Sequence, residues 1–243
     1  MTESLSVVMP AYNEEATIAA VIGELDREVA SRFDDAEIIV VDDASTDATG
    51  RILDGLATDH PRLTVVHRER NAGHGPAVMA GFARARGTWV LQMDSDGQFD
   101  ARDFWALWAR RDGADLVLGI RRRRRDPLHR LALSRVVAAT VSALAGRRIS
   151  DPNVPFRLLR RALAEDLRPF LPDEPLAPSI LMTTGAVVRG ARVVEVPVSH
   201  RGRPHGRSTL RAWRLIRFAL RGLGELVSFR LTLRRARPSP GSA

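Results

Sequence analysis

The sequence predicts an α/β protein in which helices flank a mostly parallel β-sheet. Two observations support this fold class. Four short apolar segments alternate with three helical segments in the first 100 residues, and this rhythm with short connections is typical of a doubly wound sheet. Each apolar segment also ends in a cluster of polar or turn-forming residues. Parallel strands end at one edge of a sheet, where ligands bind, so the clusters indicate a functional site.

The individual elements follow from the local hydrophobic pattern. The apolar runs that we interpret as strands are residues 5–9, 37–41, 63–67 and 89–93. The segments between them that we interpret as helices are residues 17–32, 49–57 and 77–86. The first of these helices places Ile18, Val21, Ile22 and Leu25 on one face. Pro10 has no backbone N–H, so we expect the first strand to stop there.

The pattern continues beyond residue 100 with longer connections. The further predicted elements are a strand at 115–119, a helix at 127–145, a helix at 179–189 and a strand at 192–198. Four prolines punctuate residues 169–178. Proline removes a hydrogen-bond donor and clashes inside a helix, so this segment is expected to be a loop.

The fourth strand runs directly into residues 94–98, with the sequence DSDGQ. Asp94, Asp96 and Gln98 alternate, so their side chains would point to one side if the chain stayed extended there. Two carboxylates and an amide oxygen suit a hard divalent cation such as Mg²⁺ or Mn²⁺. The alternative is a solvated acidic turn. The other strand ends carry Tyr12 and Glu14, the pair Asp42 and Asp43, and a segment rich in Asn and Gly at 71–75.

The composition excludes several kinds of site. The chain has 243 residues, 44% of them hydrophobic, which suffices for one sizeable core. It has no Cys, and therefore no disulfide and no Cys-based metal site or nucleophile. No apolar run reaches the roughly 18–20 residues that span a membrane. The first residues lead directly into a strand pattern, so no signal peptide is expected.

The formal net charge of +8 is unevenly distributed. Residues 1–100 contain 8 Arg and 18 Asp or Glu, whereas residues 101–243 contain 29 Arg and 11 Asp or Glu. The acidic part therefore carries the predicted cation site. The basic part is expected to face something anionic, such as substrate phosphates, lipid headgroups or nucleic acid.

The last predicted helix, residues 210–220, is basic on one side. Its arginines at 211, 214 and 217 share an arc with Arg221, and Trp213, Leu215 and Ile216 lie opposite. This pattern is typical of a helix at a membrane interface, and a helix packed on the domain has the same pattern. The predicted units are a domain at 1–210, a basic amphipathic helical appendage at 211–236, and a disordered tail at 237–243.

Four segments at the predicted strand ends, PAYNEE, VDDASTD, NAGHGPA and MDSDGQ, together resemble family 2 glycosyltransferases. The resemblance covers roughly residues 5–210. Within that family the chain is similar to the dolichol- or polyprenol-phosphate mannosyltransferases and their bacterial relatives. The resemblance implies the GT-A fold, a Rossmann-like, mostly parallel sheet flanked by helices. It also implies a nucleotide-sugar donor and a Mg²⁺ or Mn²⁺ ion.

The resemblance implies roles for individual residues. The donor-binding residues would be Pro10, Tyr12, Glu14, Val41, Asp42, Asp43, Asp94, Ser95, Arg203 and Arg207. The cation ligands would be Asp94, Asp96 and Gln98. The residues at the acceptor phosphate would be Arg121, Arg130 and Ser134. The catalytic residues would be Asp96, Asp151, Arg121 and Arg130.

Two of these assignments have a structural alternative. Asp151 lies where inverting relatives place an acid/base carboxylate, but it also suits a partner for a neighbouring arginine. A phosphate nucleophile is already ionised and needs little help from a base. Ser134 also suits a plain helix-face hydroxyl. The chain departs from the family pattern at Ile120, where Ser is usual, and at Pro155, where Gly is usual.

The resulting hypothesis is an inverting, metal-dependent transfer of a sugar, with mannose favoured, from a nucleotide-sugar to a polyprenyl phosphate. GDP-mannose is the favoured donor and UDP-glucose the next. We expect a cytoplasmic protein, peripheral on the inner face of the cell membrane, where anionic lipid or a membrane-protein partner holds it. One alternative is the same donor chemistry on a soluble or glycan acceptor. The other is a non-catalytic protein that binds nucleic acid. Few aromatic residues interrupt the basic segments, so no specific nucleic acid is expected.

Overall fold

The structure, a computed structural model, describes residues 3–121, 128–201 and 212–235. Within helices it leaves the side chains at 128–133, 145, 212–220 and 234 undescribed. The strands are β1 (Leu5–Ala11), β2 (Ala36–Asp42), β3 (Leu63–His67), β4 (Trp89–Gln92), β5 (Leu116–Arg121), β6 (Arg157–Arg160) and β7 (Val193–Val198). The helices are α1 (Ile18–Glu28), α2 (Thr49–Asp59), α3 (His74–Phe82), α4 (Phe104–Trp108), α5 (Leu128–Ala145), α6 (Arg161–Leu167), α7 (Pro178–Val188) and α8 (Ala212–Arg235).

The strands of the described residues form a seven-stranded sheet in the order β3-β2-β1-β4-β6-β5-β7. Strands β3, β2, β1 and β4 run parallel to one another, and β5 is parallel to β7. Strand β6 runs antiparallel to both β4 and β5. The predicted class, a mostly parallel sheet flanked by helices, is confirmed. Because β6 reverses direction, β4 and β5 remain parallel to each other, and their carboxyl ends lie at the same sheet edge.

The core lies on both sides of the sheet, and the central strand β1 is buried along its whole length. Helix α1 buries Ile18, Val21, Ile22 and Leu25, the four residues that the sequence places on its inner face. Helix α3 packs on β1 so closely that a Cβ added at Gly81 would lie 2.3 Å from Val8 Cγ1. The apolar periodicity of α1 therefore explains which face of this helix packs on the sheet.

Strand β1 continues through Pro10 to Ala11, so the expectation that Pro10 ends the strand is wrong. Pro10 O accepts a hydrogen bond from the side chain of Ser95, which follows β4. The N and O of one strand residue point to the same side, so the missing N–H also faces β4. The paired residues of β1 and β4 end at Val8 and Gln92, and no ladder bond is lost at Pro10.

Other differences from the predicted elements lie in short or charged segments. Helix α3 begins at His74 rather than at residue 77, because a proline fits in the first turn of a helix. The pattern gave no indication of α4, β6 or α6. Strand β6 has the sequence RLLR, and its pairing between two parallel strands is a tertiary interaction that local pattern does not contain.

Helix α8 packs on the domain through its carboxyl-terminal half. Leu226, Phe229 and Leu233 are buried, and Glu225 accepts hydrogen bonds from Leu176 N at 3.2 and 3.1 Å. The side chains of 212–220, on which the amphipathic prediction rests, lie outside the described part, as do residues 210, 211 and 236–243. The division into a domain, an appendage and a tail stays a prediction. Among the described residues, no helix has the length and apolar character needed to cross a membrane.

Candidate active site

Side chains of the strand-end clusters hold the carboxyl ends of β1, β2 and β4 together. Ser95 Oγ donates a buried hydrogen bond of 2.8 Å to Pro10 O. The Asp43 amide donates one of 2.9 Å to Ala11 O. Thr17 Oγ1, immediately before α1, donates to Ser95 O at 3.2 Å. The clusters that the sequence predicts at separate strand ends therefore form one continuous edge.

Asp94, which follows β4, pairs with the first residue of α3. His74 Nε2 lies 3.0 Å from Asp94 Oδ1. Burial opposes protonation of His74, but the negative charge of Asp94 and the hydrogen bond to it together outweigh burial and raise the pKa of the imidazole. The Asp94 side chain is 28% exposed, so a ligand can reach the carboxylate.

The chain turns sharply between Asp96 and Gln98. Gly97 has a φ of +70°, which glycine adopts without strain, and the Gln98 amide donates to Asp96 Oδ1 at 3.1 Å. The chain therefore does not stay extended through residues 94–98, which was the condition for placing all three side chains on one side. Gln98 Nε2 donates to Arg201 O at 3.2 Å, which anchors this side chain to the segment after β7. The assignment of Gln98 as a cation ligand stays a prediction.

The oxygen ligands at this edge suit a divalent cation that keeps ligands of its own. In the part of the chain that the structure describes, no group of three or more His, Asp or Glu side chains is placed to hold a metal ion. Asp94 and Asp96 offer two carboxylates on either side of Ser95, whose hydroxyl and carbonyl are both fixed by hydrogen bonds. Mg²⁺ and Mn²⁺ suit one or two carboxylates, with water and substrate phosphates completing the coordination. The residues present therefore fit such an ion shared with a diphosphate.

Asp43 organises the loop after β3. It is 2% exposed and accepts hydrogen bonds from Arg68 Nη1, Ala72 N and Gly73 N at 3.0, 3.2 and 2.7 Å. Gly73 has a φ of +95°, so the loop turns at a residue that tolerates this conformation. The carboxylate thereby fixes the chain that leads into His74 and α3.

Asp42 has a comparable role on the other side of β2. It is 4% exposed, and it accepts a hydrogen bond from Ser45 N at 3.0 Å. Its second oxygen lies 3.0 Å from His67 Nδ1, and His67 Nε2 lies 2.9 Å from Asp54 Oδ1. The hydrogen bonds to Asp54 and Asp42 raise the pKa of His67. Asp42 thus shapes the turn that follows the strand.

The segment after β1 is mixed in exposure. Tyr12 is 44% exposed, whereas the Glu14 side chain accepts a hydrogen bond from Thr17 Oγ1 at 3.1 Å and its amide donates to Thr49 Oγ1 at 2.8 Å. Val41 is fully buried in β2. Tyr12 is therefore the member of the predicted donor-binding set from this region that presents the most surface to a base or ribose.

Arg121, the last residue of β5, forms a bidentate ion pair with Asp151. The Nε–Oδ2 and Nη2–Oδ1 distances are 2.7 and 3.1 Å, and the two side chains are 14% and 8% exposed. Such fork-to-fork geometry fixes both groups and not only their charges. The structure thus shows Asp151 as the partner of a neighbouring arginine, which was the alternative to a catalytic acid or base.

The fully buried Arg157, at the start of β6, lies beneath this part of the edge. Its guanidinium donates to Val154 O at 2.9 Å, Ser179 O at 2.8 Å, Pro152 O at 3.1 Å and Thr183 Oγ1 at 3.0 Å. Burial lowers its pKa to about 9, against the opposing effect of nearby carboxylates. The group is therefore still cationic at neutral pH, and it fixes the turn that carries Asp151.

Several predicted site residues cannot be placed in this geometry. Arg203 and Arg207 lie outside the described residues. Arg130 lies in α5, but its side chain is not described. Ser134 lies one turn further along α5 and is half-buried. The roles proposed for these residues stay predictions.

Comparison with known proteins decides the family. Residues 6–168 match the family described as "Glycosyl transferase family 2". The chain is 34% identical over 220 residues to the polyprenol monophosphomannose synthase of Mycolicibacterium smegmatis, an alignment that covers 86% of this chain and 82% of that relative. The chain belongs to glycosyl transferase family 2. The resemblance drawn from the sequence, and with it the prediction of a glycosyltransferase, is confirmed at the level of the family.

Other relatives of this family 2 glycosyltransferase are longer. The chain is 32% identical over 206 residues to an undecaprenyl-phosphate 4-deoxy-4-formamido-L-arabinose transferase of Aeromonas hydrophila. That alignment covers 84% of this chain and 62% of the relative. A transferase of the same name from Klebsiella pneumoniae is 30% identical, with 88% of this chain and 64% of the relative covered. The chain therefore spans less than two thirds of the length of these relatives.

Solved structures confirm the fold. The family 2 glycosyltransferase superposes with a TM-score of 0.70 on glucosyl-3-phosphoglycerate synthase from Mycobacterium tuberculosis in complex with Mn²⁺, UDP and phosphoglyceric acid, at 24% identity, covering 98% of this chain and 81% of the other. A mannosyltransferase from Pyrobaculum calidifontis in complex with GDP-Man and Mn²⁺ gives a TM-score of 0.67 at 24% identity, covering 99% and 66%. At this identity the likeness establishes the shared architecture alone.

Three residues of this glycosyltransferase lie at the site without having been predicted there. They are His74, Arg157 and Arg201. His74 belongs to the segment NAGHGPA, so its position in that motif was the available signal. Arg157 belongs to the segment DPNVPFRL, which the resemblance to the family also covers, so that match was its available signal. Its burial was not expected, since arginine is mostly exposed in proteins. Arg201 lies at the site because it forms a hydrogen bond with Gln98, which is 103 positions earlier in the chain.

Proposed function

We propose that this family 2 glycosyltransferase is an inverting, metal-dependent enzyme that transfers a sugar, with mannose favoured, from a nucleotide-sugar to a polyprenyl phosphate. Support comes from the names of two relatives, a polyprenol monophosphomannose synthase and an undecaprenyl-phosphate aminoarabinose-type transferase. The first name specifies a mannosyl phosphate of a polyprenol as the product, and the second specifies undecaprenyl phosphate. GDP-mannose is the favoured donor, and UDP-glucose is the next.

The observation that carries the proposal is the separation of charge along the sheet edge. Asp94 and Asp96 follow β4. Arg121 ends β5 and the buried Arg157 begins β6, and these two cations outnumber their carboxylate neighbour Asp151. Leu118 of β5 and Gln92 of β4 both pair with Arg157 of β6, so the two strand ends lie at similar heights. Strands are about 4.8 Å apart, which places the acidic and basic ends roughly 10 Å from each other. A cation-bound diphosphate and an acceptor phosphate fit the two ends, with the sugar between them.

The acidic end would bind the donor. Asp94, Asp96 and Gln98 would hold a Mg²⁺ or Mn²⁺ ion, which would neutralise the leaving diphosphate as a Lewis acid. Tyr12 and Glu14 would contact the base and ribose, Asp43 would shape their binding site by holding the loop after β3, and Arg203 and Arg207 would contact the diphosphate. His74 keeps Asp94 in place through the contact of 3.0 Å. The side chains at this end would therefore contribute by orienting the anomeric carbon of the donor sugar.

The basic end would bind the acceptor. An oxygen of the acceptor phosphate would form a bond to the anomeric carbon from the face opposite the diphosphate, and the bond from that carbon to the leaving phosphate oxygen would break. This in-line geometry inverts the configuration. Arg121 and Arg130 would position the phosphate, which is already ionised and needs no base. The ion pair with Asp151 would hold the Arg121 guanidinium in position for the acceptor phosphate.

The basic carboxyl-terminal part would face anionic lipid. Residues 101–243 carry 29 Arg against 11 acidic residues, and interfacial attraction is on the order of 1 kcal/mol per well-placed Arg. Co-sedimentation with vesicles of anionic lipid would test this contact. Loss of binding on neutralising Arg211, Arg214 and Arg217 would support it. A protein indifferent to anionic vesicles would count against a lipid acceptor at the inner membrane face.

The decisive experiment is sugar transfer from a panel of radiolabelled nucleotide-sugars to polyprenyl phosphate in detergent micelles. It is run with Mg²⁺, with Mn²⁺ and with EDTA. We expect organic-extractable label with one donor, and loss of that label with EDTA and in Asp96→Ala. The matched control is Asp112→Ala, because Asp112 is an 81% exposed carboxylate on a surface turn. This control should keep full transfer.

The other outcomes have distinct meanings. Donor hydrolysis without labelled lipid would contradict the lipid acceptor and favour a soluble or glycan acceptor. Transfer that continues at full rate in EDTA and in Asp96→Ala would contradict the cation site. Absence of turnover with every donor would contradict the enzymatic proposal and favour a non-catalytic role.

A further inference from the structure

The segment that follows the cation-binding turn crosses the sheet edge from β4 toward β7. Residues 98–100 pass above the start of β6, because Phe99 stacks on Phe156 with ring centroids 5.1 Å apart and planes inclined by 12°. His200, which follows β7, meets Phe99 edge-on at 5.2 Å. Phe99 is 5% exposed. The contacts of the Phe99 ring with Phe156 and His200 thus hold this crossing segment against the start of β6 and the chain after β7.

Hydrogen bonds join the crossing segment to the chain after β7. Arg201 N donates to Gln98 O at 2.8 Å, and Gln98 Nε2 donates to Arg201 O at 3.2 Å. Arg201 Nη2 donates to Asp100 Oδ2 at 2.6 Å. Ser199 N donates to Asp103 Oδ2 at 2.7 Å. We call this set of contacts, made by Gln98, Asp100, Asp103, Ser199 and Arg201, the clasp.

The clasp reaches Asp96 through a single residue. Gln98 N donates to Asp96 Oδ1 at 3.1 Å, and the main-chain N–H and C=O of Arg201 bind the carbonyl and the side chain of the same Gln98. The Asp96 carboxylate is therefore oriented by a backbone amide whose own position depends on the main chain of Arg201, and the Arg201 side chain ties that main chain to Asp100. Asp100 holds the Arg201 guanidinium in turn.

We propose that Arg201 and Asp100 are positioning residues that fix the Asp96 carboxylate for the divalent cation and couple it to the chain after β7. This inference rests on the proposed function, because it presumes a cation at Asp94 and Asp96. Groups that orient metal ligands through hydrogen bonds affect metal affinity without touching the ion. Neither residue is assigned such a role by the resemblance to the family.

Two arginines hold the Asp100 carboxylate. Its Oδ1 accepts hydrogen bonds from Arg102 N and Nε, both at 3.0 Å, and its Oδ2 accepts from Arg102 Nη2 at 2.9 Å and from Arg201 Nη2 at 2.6 Å. The Arg102 side chain is 66% exposed, and its polar contacts are to Asp100. It therefore binds the same carboxylate without forming part of the clasp.

That difference provides a matched control. Mn²⁺ binding is measured by electron paramagnetic resonance of the free ion, with GDP and, separately, with UDP present. We expect Arg201→Gln and Asp100→Asn each to weaken Mn²⁺ binding about tenfold. The double variant should bind Mn²⁺ about as tightly as the weaker-binding single variant, because both substitutions break the same contact between Arg201 and Asp100. Arg102→Gln should stay within about twofold of the wild type.

Two further measurements separate positioning from loss of structure. Arg201→Lys keeps a cation within reach of Asp100 and should recover most of the Mn²⁺ affinity. At saturating Mn²⁺ and donor, kcat of Arg201→Gln should match the wild type, whereas the donor KM at limiting Mn²⁺ should rise. A residue that merely stabilises the fold would lower the fraction of active enzyme and thus kcat, and would leave KM unchanged.

The outcomes distinguish this inference from the function on which it rests. Wild-type binding of Mn²⁺ that is lost in Asp96→Ala but unchanged in Arg201→Gln and Asp100→Asn would overturn the clasp and leave the proposed function intact. Equal weakening by Arg102→Gln would also overturn it. Absence of Mn²⁺ binding in the wild type with either nucleotide would overturn the cation site itself, and the clasp with it.

Discussion

The ion pair between Arg121 and Asp151 can be tested by removing one charge at a time. Both side chains are largely buried, at 14% and 8% exposure, and both hydrogen bonds are short. Breaking a buried pair leaves an uncompensated charge, which costs about 3–5 kcal/mol. Water still reaches the guanidinium, so we expect each of Arg121→Met and Asp151→Asn to lower the free energy of unfolding by about 3 kcal/mol.

The double variant shows whether the two charges act as one unit. Arg121→Met with Asp151→Asn removes both members of the ion pair and leaves neither uncompensated by the other, so its loss should be well below the sum of the single losses, by about 2–3 kcal/mol. Urea unfolding gives the free energies. In thermal unfolding each single variant should melt roughly 6–12 °C below the wild type, given about 2–4 °C per kcal/mol for a chain of this size.

The same variants separate a positioning role of Asp151 from an acid/base role. If Asp151 orients Arg121 for the acceptor phosphate, Asp151→Asn and Arg121→Met should both raise the acceptor KM and leave donor KM unchanged. Additive losses of stability, or losses below about 1 kcal/mol as at a surface pair, would refute the reasoning from burial. A large fall in kcat of Asp151→Asn with unchanged stability and acceptor KM would refute the positioning role.

Three further predictions concern the edge of the sheet. Gly75→Ala should lower the free energy of unfolding by about 1–3 kcal/mol in urea, because the added Cβ would lie 1.7 Å from Pro175 O. Ser95→Ala should cost about 1–3 kcal/mol in the same assay, since it leaves the buried Pro10 O without its donor. Asp100 has a folded-state pKa lowered from 3.8 to about 2, so its stabilising effect is complete above pH 3.8 and is lost as the pH falls toward 2. Acid titration of Asp100→Asn should therefore show a shallower loss of stability in that window, by on the order of 1 kcal/mol.

Controls for these variants are available in the same chain. Gly23→Ala adds a Cβ in α1 with no atom within 4 Å, and should stabilise by about 0.4–1 kcal/mol. Thr58→Ala removes an exposed helix hydroxyl that bonds to Asp54 O, and should be nearly neutral. A Gly75→Ala variant as stable as Gly23→Ala would contradict the close approach at Gly75. An acid transition of Asp100→Asn identical to the wild type would contradict the lowered pKa.

Local pattern was sufficient for the first four strands and for the meeting of their polar clusters at one sheet edge. Each of these strands is an apolar run with a polar cluster at its end, and parallel pairing then brings the clusters to one edge without further information. Residues 94–98 show the limit of this reasoning. Alternation predicted three side chains on one side, but Gly97 turns the chain, and the preference of glycine for such a φ competes with extension.

The other differences arise from tertiary pairing that a local window does not contain. Strand β6 has four residues with an arginine at each end, and its antiparallel placement depends on the strands on either side. Arg157 is buried because backbone carbonyls converge on it from residues 152, 154 and 179. The clasp joins segments about 100 positions apart. Each of these features requires the folded chain before it can be recognised.

The acidic residues at the edge divide into two groups by exposure, and this division indicates where a ligand binds. Asp42 and Asp43 are 4% and 2% exposed and hold neighbouring loops. Asp94, with a side chain that is 28% exposed, and the half-buried Asp96 form the group that a ligand can reach. At the ends of β6 and β5 the two cations Arg157 and Arg121 outnumber their carboxylate neighbour Asp151, so these three residues carry a net positive charge. Electrostatic interactions are weakly screened at a poorly solvated edge, so the electric field points from β5 toward β4. A donor whose diphosphate binds a cation would therefore bind at the β4 end, and an acceptor with a bare phosphate would bind at the β5 end. The opposite arrangement would place like charges together at both ends.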